Sequence, residues 1–267
     1  MNILVCVKQV PDTTEIKIDP VKNTLIRQGV PSILNPFDGY ALEAAARIKD
    51  KDPSTKIVVM SMGPEQAKAV LKECIAIAAD QAYLVSGRKF GGSDTLATSY
   101  IISEAAKMIE EKEGIKFDAF FFGKQAIDGD TAQTGPEFAE HLGLPQITYG
   151  LEAFVEGDAL KVNKEIDGGV EVLSAPMPCV VTFTKPSFDP RFPTIKRKLA
   201  ANKAKFPVIT DEELVVDADK IGLHGSPTRV KKTFVPQKKT GGLKIQEETA
   251  EESAKKLFDA LSDAGVL

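Results

Sequence analysis

At 267 residues, 43% hydrophobic and 27% charged, the chain has the composition of a soluble globular protein with a sizeable core, and one main domain with appendages is expected. Its formal net charge of -4 gives no overall electrostatic reason to bind nucleic acid, because a phosphate-backbone binder carries a basic surplus. Cys6, Cys74 and Cys179 are odd in number and form no C-x-x-C, which argues against a disulfide framework or thiolate metal site and makes a reducing, cytoplasmic setting the expectation.

The apolar run Ile3 to Val7 reads as the first strand. No basic n-region precedes it, so a leader is not expected, and no run reaches the roughly 18 apolar residues of a membrane span. Further strands are expected at Lys56 to Met60, Ala82 to Ser86 and Ala119 to Phe122. Their near-continuous apolar character implies burial on both faces, as in a parallel sheet wrapped by helices. Helices are expected to begin near Pro36, Pro64, Ser93 and Thr131. Asn35-Pro36 is a start signal, with Asn as N-cap and Pro at the first helical position, and Ala41, Leu42, Ala45 and Ile48 then form an apolar stripe. Such βα units predict a doubly wound α/β fold whose ligands sit beyond the strand carboxyl ends, where Cys6, Asn35, Met62 and Gly123 fall.

After Pro145 come Leu151 to Val155, Ala159 to Glu165, Val170 to Leu173 and Cys179 to Thr184, with Gly157 and Gly168-Gly169 in the turns between. These predict antiparallel strands that extend the sheet edge. From Lys185 to Lys205, seven Lys or Arg stand against one acid, Asp189, and include Lys196-Arg197-Lys198. Such a run is either a solvated face or a docking segment. The domain is expected to end near residue 224, leaving 225–267 as an extended arm and a terminal helix. Thr249 and Glu252 have capping-box spacing, and Ala254, Leu257, Phe258 and Leu261 share one face. That helix packs either on its own domain or on another subunit.

Two glycine-rich stretches bear on chemistry. The first, Ser86 to Thr95, partly resembles the pyrophosphatase loop of adenylating enzymes, but Phe90 stands where a serine is needed and Ser93 reads as a helix N-cap. The second, Gly123-Lys124-Gln125-Ala126-Ile127-Asp128-Gly129-Asp130-Thr131-Ala132-Gln133-Thr134-Gly135-Pro136-Glu137, reads as strand, loop and helix. Its glycines allow close backbone approach, Thr131 or Thr134 can cap the helix, and the free N–H groups at the helix start favour an anion such as a nucleotide phosphate. It is neither a Walker A loop nor a Rossmann fingerprint. No nucleophile and base pair is recognisable, His141 reads as a helix-surface residue, and Asp128 and Asp130 have no sequence-visible partner, so acid–base chemistry is unsupported.

The second stretch as a whole resembles the signature of the beta subunit of electron transfer flavoproteins. The resemblance continues through Ile3 to Lys8, Asn35 to Asp38, Ser61 to Pro64, Glu165 to Gly169 and Pro178 to Thr182, and covers nearly the whole chain. It implies an adenine-nucleotide alpha-hydrolase-like fold and an electron-carrier subunit that works with an alpha subunit, the flavin bringing the redox chemistry. By that match, Gly123, Lys124, Gln125, Ala126, Ile127, Asp128, Gly129, Asp130, Thr131, Ala132, Gln133 and Thr134 hold the ADP part of the nucleotide. Cys6, Asn35, Pro36, Phe37, Asp38 and Met62 line the adenosine side.

Within the family some beta subunits hold AMP, whereas the bifurcating branch holds a second FAD that takes hydride from NADH. The chain resembles the latter in having Gly129, where the AMP type carries an acidic residue, and in the segment Asn23 to Ser32. That implies electron delivery to ferredoxin or flavodoxin and, through an alpha-subunit FAD, to an acyl-CoA or lactate dehydrogenase. An ATP-binding adenylating or stress-type protein is the reading from another class.

Overall fold

Ile3 and Val5 pack into one hydrophobic cluster and Leu4 and Cys6 into another, because alternate side chains of a strand leave opposite faces of its sheet. The computed structural model describes residues 1–12, 31–231 and 241–267. In chain order the elements are β1 (Asn2–Cys6), β2 (Gln9–Pro11), β3 (Ser32–Leu34), α1 (Pro36–Lys51), β4 (Lys56–Met62), α2 (Lys68–Ile77), β5 (Gln81–Val85), α3 (Thr95–Glu113), β6 (Ala119–Gly123), α4 (Thr134–Leu142), β7 (Gln146–Glu156), β8 (Ala159–Ile166), β9 (Gly169–Pro176), β10 (Cys179–Phe183), α5 (Ile195–Lys203), β11 (Val208–Ile209) and α6 (Ala250–Asp263).

The main sheet has nine strands in the order β11-β5-β4-β1-β6-β10-β7-β8-β9, and a separate hairpin pairs β2 with β3. From β11 to β7 all pairings are parallel; β8 and β9 extend that edge antiparallel. Helices α1 and α2 cover the face of Ile3 and Val5, while α3 and α4 cover that of Leu4 and Cys6. The expected doubly wound architecture with antiparallel edge strands is present. The chain builds outward from β1 through β4 to β5 and then places β6 on the other side of β1, so the switch point lies where β1 ends.

Three expectations are corrected. Cys179 to Thr184 is not a hairpin strand: β10 lies inside the sheet, parallel to both β6 and β7, and is fully buried along its length. Ser93 does not cap α3; Asp94 does, accepting from the Ala97 N–H at 3.1 Å. Helix α4 starts at Thr134 after Gln133, with no side-chain cap from Thr131 or Thr134. The terminal helix does carry its capping box, Thr249 with Glu252, but buries none of its residues. Most of the segment Asn23 to Ser32, and residues 232–240 of the arm, lie outside the described residues.

Candidate functional site

The carboxyl ends of β1 and β6 meet the start of α1 around two side chains. Asp38, in the first turn of α1, accepts from the Lys8 N–H at 2.7 Å and from the Gly123 N–H at 3.1 Å. Asn35 occupies the N-cap position but makes no cap bond. Its Nδ2 instead donates to the Gln125 carbonyl at 2.9 Å, and its Oδ1 accepts from the Ile127 N–H at 3.2 Å. Pro36 takes the first helical position, where its missing N–H costs nothing. Asn35 and Asp38 therefore fix the loop after β6 from outside, and both are buried.

The loop itself is tightly wound. Lys124 N–H donates to the Phe183 carbonyl at 2.7 Å, and the Gly129 and Asp130 N–H groups share the Ala126 carbonyl. Asp130 and Ala132 adopt positive φ of 52° and 54°, which an aspartate tolerates better than an alanine. Both loop carboxylates find partners invisible in the sequence: Lys8 Nζ reaches Asp128 at 2.7 Å, and Gln125 Nε2 donates to Asp130 at 2.7 Å. Beyond them the N–H groups of residues 131 to 135 donate to no acceptor among the described residues. Those at 134 and 135 open α4, where orphan donors and the helix dipole together favour an anion.

Burial holds the Asp38 carboxyl up at about 7, against hydrogen bonds from Asn35, Lys8 and Gly123 that favour its charged form. The Cys6 thiol, buried beside it, is pushed well above its ordinary value by desolvation and then by the Asp38 charge. Cys6 is thus a packing residue near the site rather than a thiolate nucleophile. Met62 is half-buried at the end of β4, against the α3 and α4 side of the sheet.

The other glycine-rich stretch is filled by the chain itself. The Asp211 carboxylate accepts from the Lys89 N–H at 2.9 Å, and a β-carbon on Gly87 would overlap it. Leu223 packs against Gly92, Ser93 Oγ accepts from the Gly222 N–H at 3.1 Å, and Asp94 accepts from both the N–H and hydroxyl of Thr228. His141 is not a surface residue in the expected sense: its ring lies 5.6 Å from that of Tyr100 on α3, and its Nε2 is buried. Within the basic run, Arg197 donates to the Ile75 and Ala79 carbonyls at 2.8 Å each, closing the C-terminus of α2.

Two surface hollows lie elsewhere. One of about 230 Å³ is lined by Arg47, Asp50, Glu152, Phe154 and Phe188, and one of about 600 Å³ by Lys107, Glu110, Phe117 and Leu144. Neither touches residues 123–134, so the candidate site is an open ledge at the sheet's edge rather than an enclosed cavity. Among the described residues there is no cluster of His, Cys, Asp and Glu placed to hold a metal, and no helix long and apolar enough to cross a membrane.

Comparison with known proteins agrees with this geometry. The electron transfer flavoprotein domain family matches residues 22–214. The chain is 52% identical over 255 residues to electron transfer flavoprotein subunit beta of Megasphaera elsdenii, covering 95% of this chain and 94% of that one. It is 43% identical over its whole length to the caffeyl-CoA reductase-Etf complex subunit CarD of Acetobacterium woodii. Over 240 residues it is 42% identical to protein FixA of Azorhizobium caulinodans, covering 88% of this chain and 85% of that one. With half its residues shared with a beta subunit of similar length, and with the family's signature loop clamped by Asn35 and Asp38, the chain belongs to the electron transfer flavoprotein beta-subunit family.

Proposed function

We propose that this chain is the nucleotide-holding subunit of a two-subunit electron carrier, with the loop 123–134 around the pyrophosphate of an adenine nucleotide. The observation that carries the reading is the row of N–H groups from 131 to 135, left without acceptors at the start of α4 while Asn35 and Asp38 hold the loop in place. Gly123, Lys124, Gln125, Ala126, Ile127, Asp128, Gly129, Asp130, Thr131, Ala132, Gln133 and Thr134 form the phosphate side. Cys6, Asn35, Pro36, Phe37, Asp38 and Met62 form the adenosine side.

Our finer reading gives the site FAD, reduced by NADH, in a bifurcating complex. Electrons would leave to ferredoxin or flavodoxin and, through an alpha-subunit FAD, to an acyl-CoA or lactate dehydrogenase. Bound flavin would supply the redox chemistry; the chain's part is to bind, orient and tune it. Gly129 supports FAD here, since a β-carbon at that position meets nothing within 4 Å and the loop gains no extra carboxylate beside Asp128 and Asp130. The alternative is a plain carrier with structural AMP, and the relatives' names, which go no further than the family and its complexes, back the plain carrier more directly. Nucleotide extracted from the purified heterodimer separates the two: two FAD per heterodimer supports the first, one FAD and one AMP the second. Neither FAD nor AMP at the β site would overturn both.

Residues 225–267 serve in this reading as an arm on the alpha subunit. Leu257 and Phe258 on α6 are 50% and 60% exposed and await a packing surface. The run around α5 is the proposed docking face for a redox partner, in a complex we place in the cytoplasm.

A further inference from the structure

Tyr149 is a bulky residue with φ of +60°, in the left-handed region that an aromatic side chain seldom adopts. Such a conformation persists only where its surroundings fix it, and here they do. The β7–β10 register slips at this point, the Tyr149 N–H donates to Oγ1 of buried Thr182 at 3.2 Å, and the Thr184 N–H donates to the Gly150 carbonyl at 3.0 Å. Gly150 has Val162 and Val181 within 3.0 and 3.2 Å of where its β-carbon would stand, so the strand cannot relax by shifting there. The result is a phenol ring turned out at the carboxyl end of β7's pairing with β10 and left 37% exposed.

That ring faces the nucleotide loop. Lys124 Nζ lies 5.1 Å from the centre of the Tyr149 ring and 5.9 Å from that of Phe37. Among the described residues Lys124 has no carboxylate partner, so its charge meets aromatic faces alone. A half-exposed cation between two aromatic rings, one step along the chain from Gly123, matches a ligand that is flat, π-rich and able to carry negative charge.

We propose that Lys124 and Tyr149, with Phe37 behind them, seat the isoalloxazine ring of FAD and so select FAD over AMP at this site. The proposal rests on the reading of loop 123–134 as a pyrophosphate site. AMP ends at its phosphate and would leave this ledge empty, whereas FAD continues past the pyrophosphate through a flexible ribityl chain to a ring of the required kind.

The test uses the heterodimer stripped of nucleotide and titrated calorimetrically with FAD, ADP and AMP. Lys124→Met removes the charge, and Tyr149→Asn removes the ring while keeping a residue that tolerates positive φ. Each variant should weaken FAD by about tenfold, the scale of a desolvated cation–π contact, and leave ADP and AMP unchanged. Tyr149→Asn should also raise the emission of bound FAD, since a stacked phenol quenches flavin fluorescence. Equal loss of FAD, ADP and AMP would assign the pair to the adenine or to folding and overturn the proposal, as would unchanged FAD affinity in both variants. A parent heterodimer that binds neither ADP nor FAD at the β subunit would instead remove the pyrophosphate reading, and the ring seat with it.

Discussion

A β-carbon on Gly123 would overlap Oδ1 of Asp38, the same oxygen to which the Gly123 N–H donates at 3.1 Å. It would also lie 2.7 Å from the Asp38 backbone nitrogen, so no side-chain rotation removes the conflict. Gly123→Ala should therefore cost about 1–3 kcal/mol of stability and loosen the loop. Gly129→Ala, with nothing within 4 Å of the new carbon, should stay within about 0.5 kcal/mol. Urea midpoints of the two variants check the contrast; equal losses would mean that the approach to Asp38 is not what requires glycine.

Gly129→Asp separates folding from binding at the same loop. The site has room for the side chain, so melting should be unchanged, while the added carboxylate beside Asp128 and Asp130 should lower nucleotide occupancy of the β site. Flavin and AMP content per heterodimer is the measurement, and parental stoichiometry would place the phosphates elsewhere.

Asp38 gives the fold a pH dependence of definite sign. Its folded value of about 7 lies above the ordinary 3.8, so between them the folded chain binds a proton that the unfolded chain has lost. The stability linked to this group is full below 3.8 and is lost as pH rises through about 7, at about 1.4 kcal/mol per pKa unit. In Asp38→Asn that decline should vanish, although the amide donates where Lys8 and Gly123 need an acceptor and so lowers stability throughout. Urea midpoints of parent and variant across the window between those two values should show the slope in the parent only.

The basic run divides into two roles. Arg197 caps α2, so Arg197→Gln should lower stability by about 1–3 kcal/mol whatever the partner does. Lys196 and Lys198 carry the docking hypothesis: their joint replacement by Gln should leave melting unchanged and slow electron transfer to the redox partner at low ionic strength. Transfer rates and salt dependence equal to the parent's for every partner would reduce the run to a solvated face.

For the arm, the position of the cut matters. Thr228 is bonded twice to Asp94, so a chain ending after Lys231 keeps that tie and loses only residues 232–267. It should melt like the full chain yet dissociate more readily from the alpha subunit. An unaltered dissociation constant would show that α6 has no part in assembly.

The βα half of the molecule and its ligand end were legible because apolar runs, Asn35-Pro36 and the glycine loop are local signals. What was hidden depended on residues far apart in the chain. The β10 run shows burial on both faces whether its neighbours are parallel or antiparallel, so its place between β6 and β7 cannot be read from its residues. Asn35 was recognisable as a helix start, but its side chain answers to Gln125 and Ile127, about ninety residues on. Arg197 looked like surface charge because the carbonyls it closes belong to a helix more than a hundred residues earlier. Lys8 and Tyr149 carry no motif at all; only the strained backbone of Tyr149 marks it.

With the Asp211 carboxylate already on the Lys89 N–H and Leu223 seated against Gly92, the turn after β5 is self-filled. A second phosphate could enter only if the stretch from Asp211 to Thr228 peeled away from α3. Each copy of the chain is thereby held to a stoichiometry of one nucleotide, and any further flavin in the complex has to be carried by a different polypeptide.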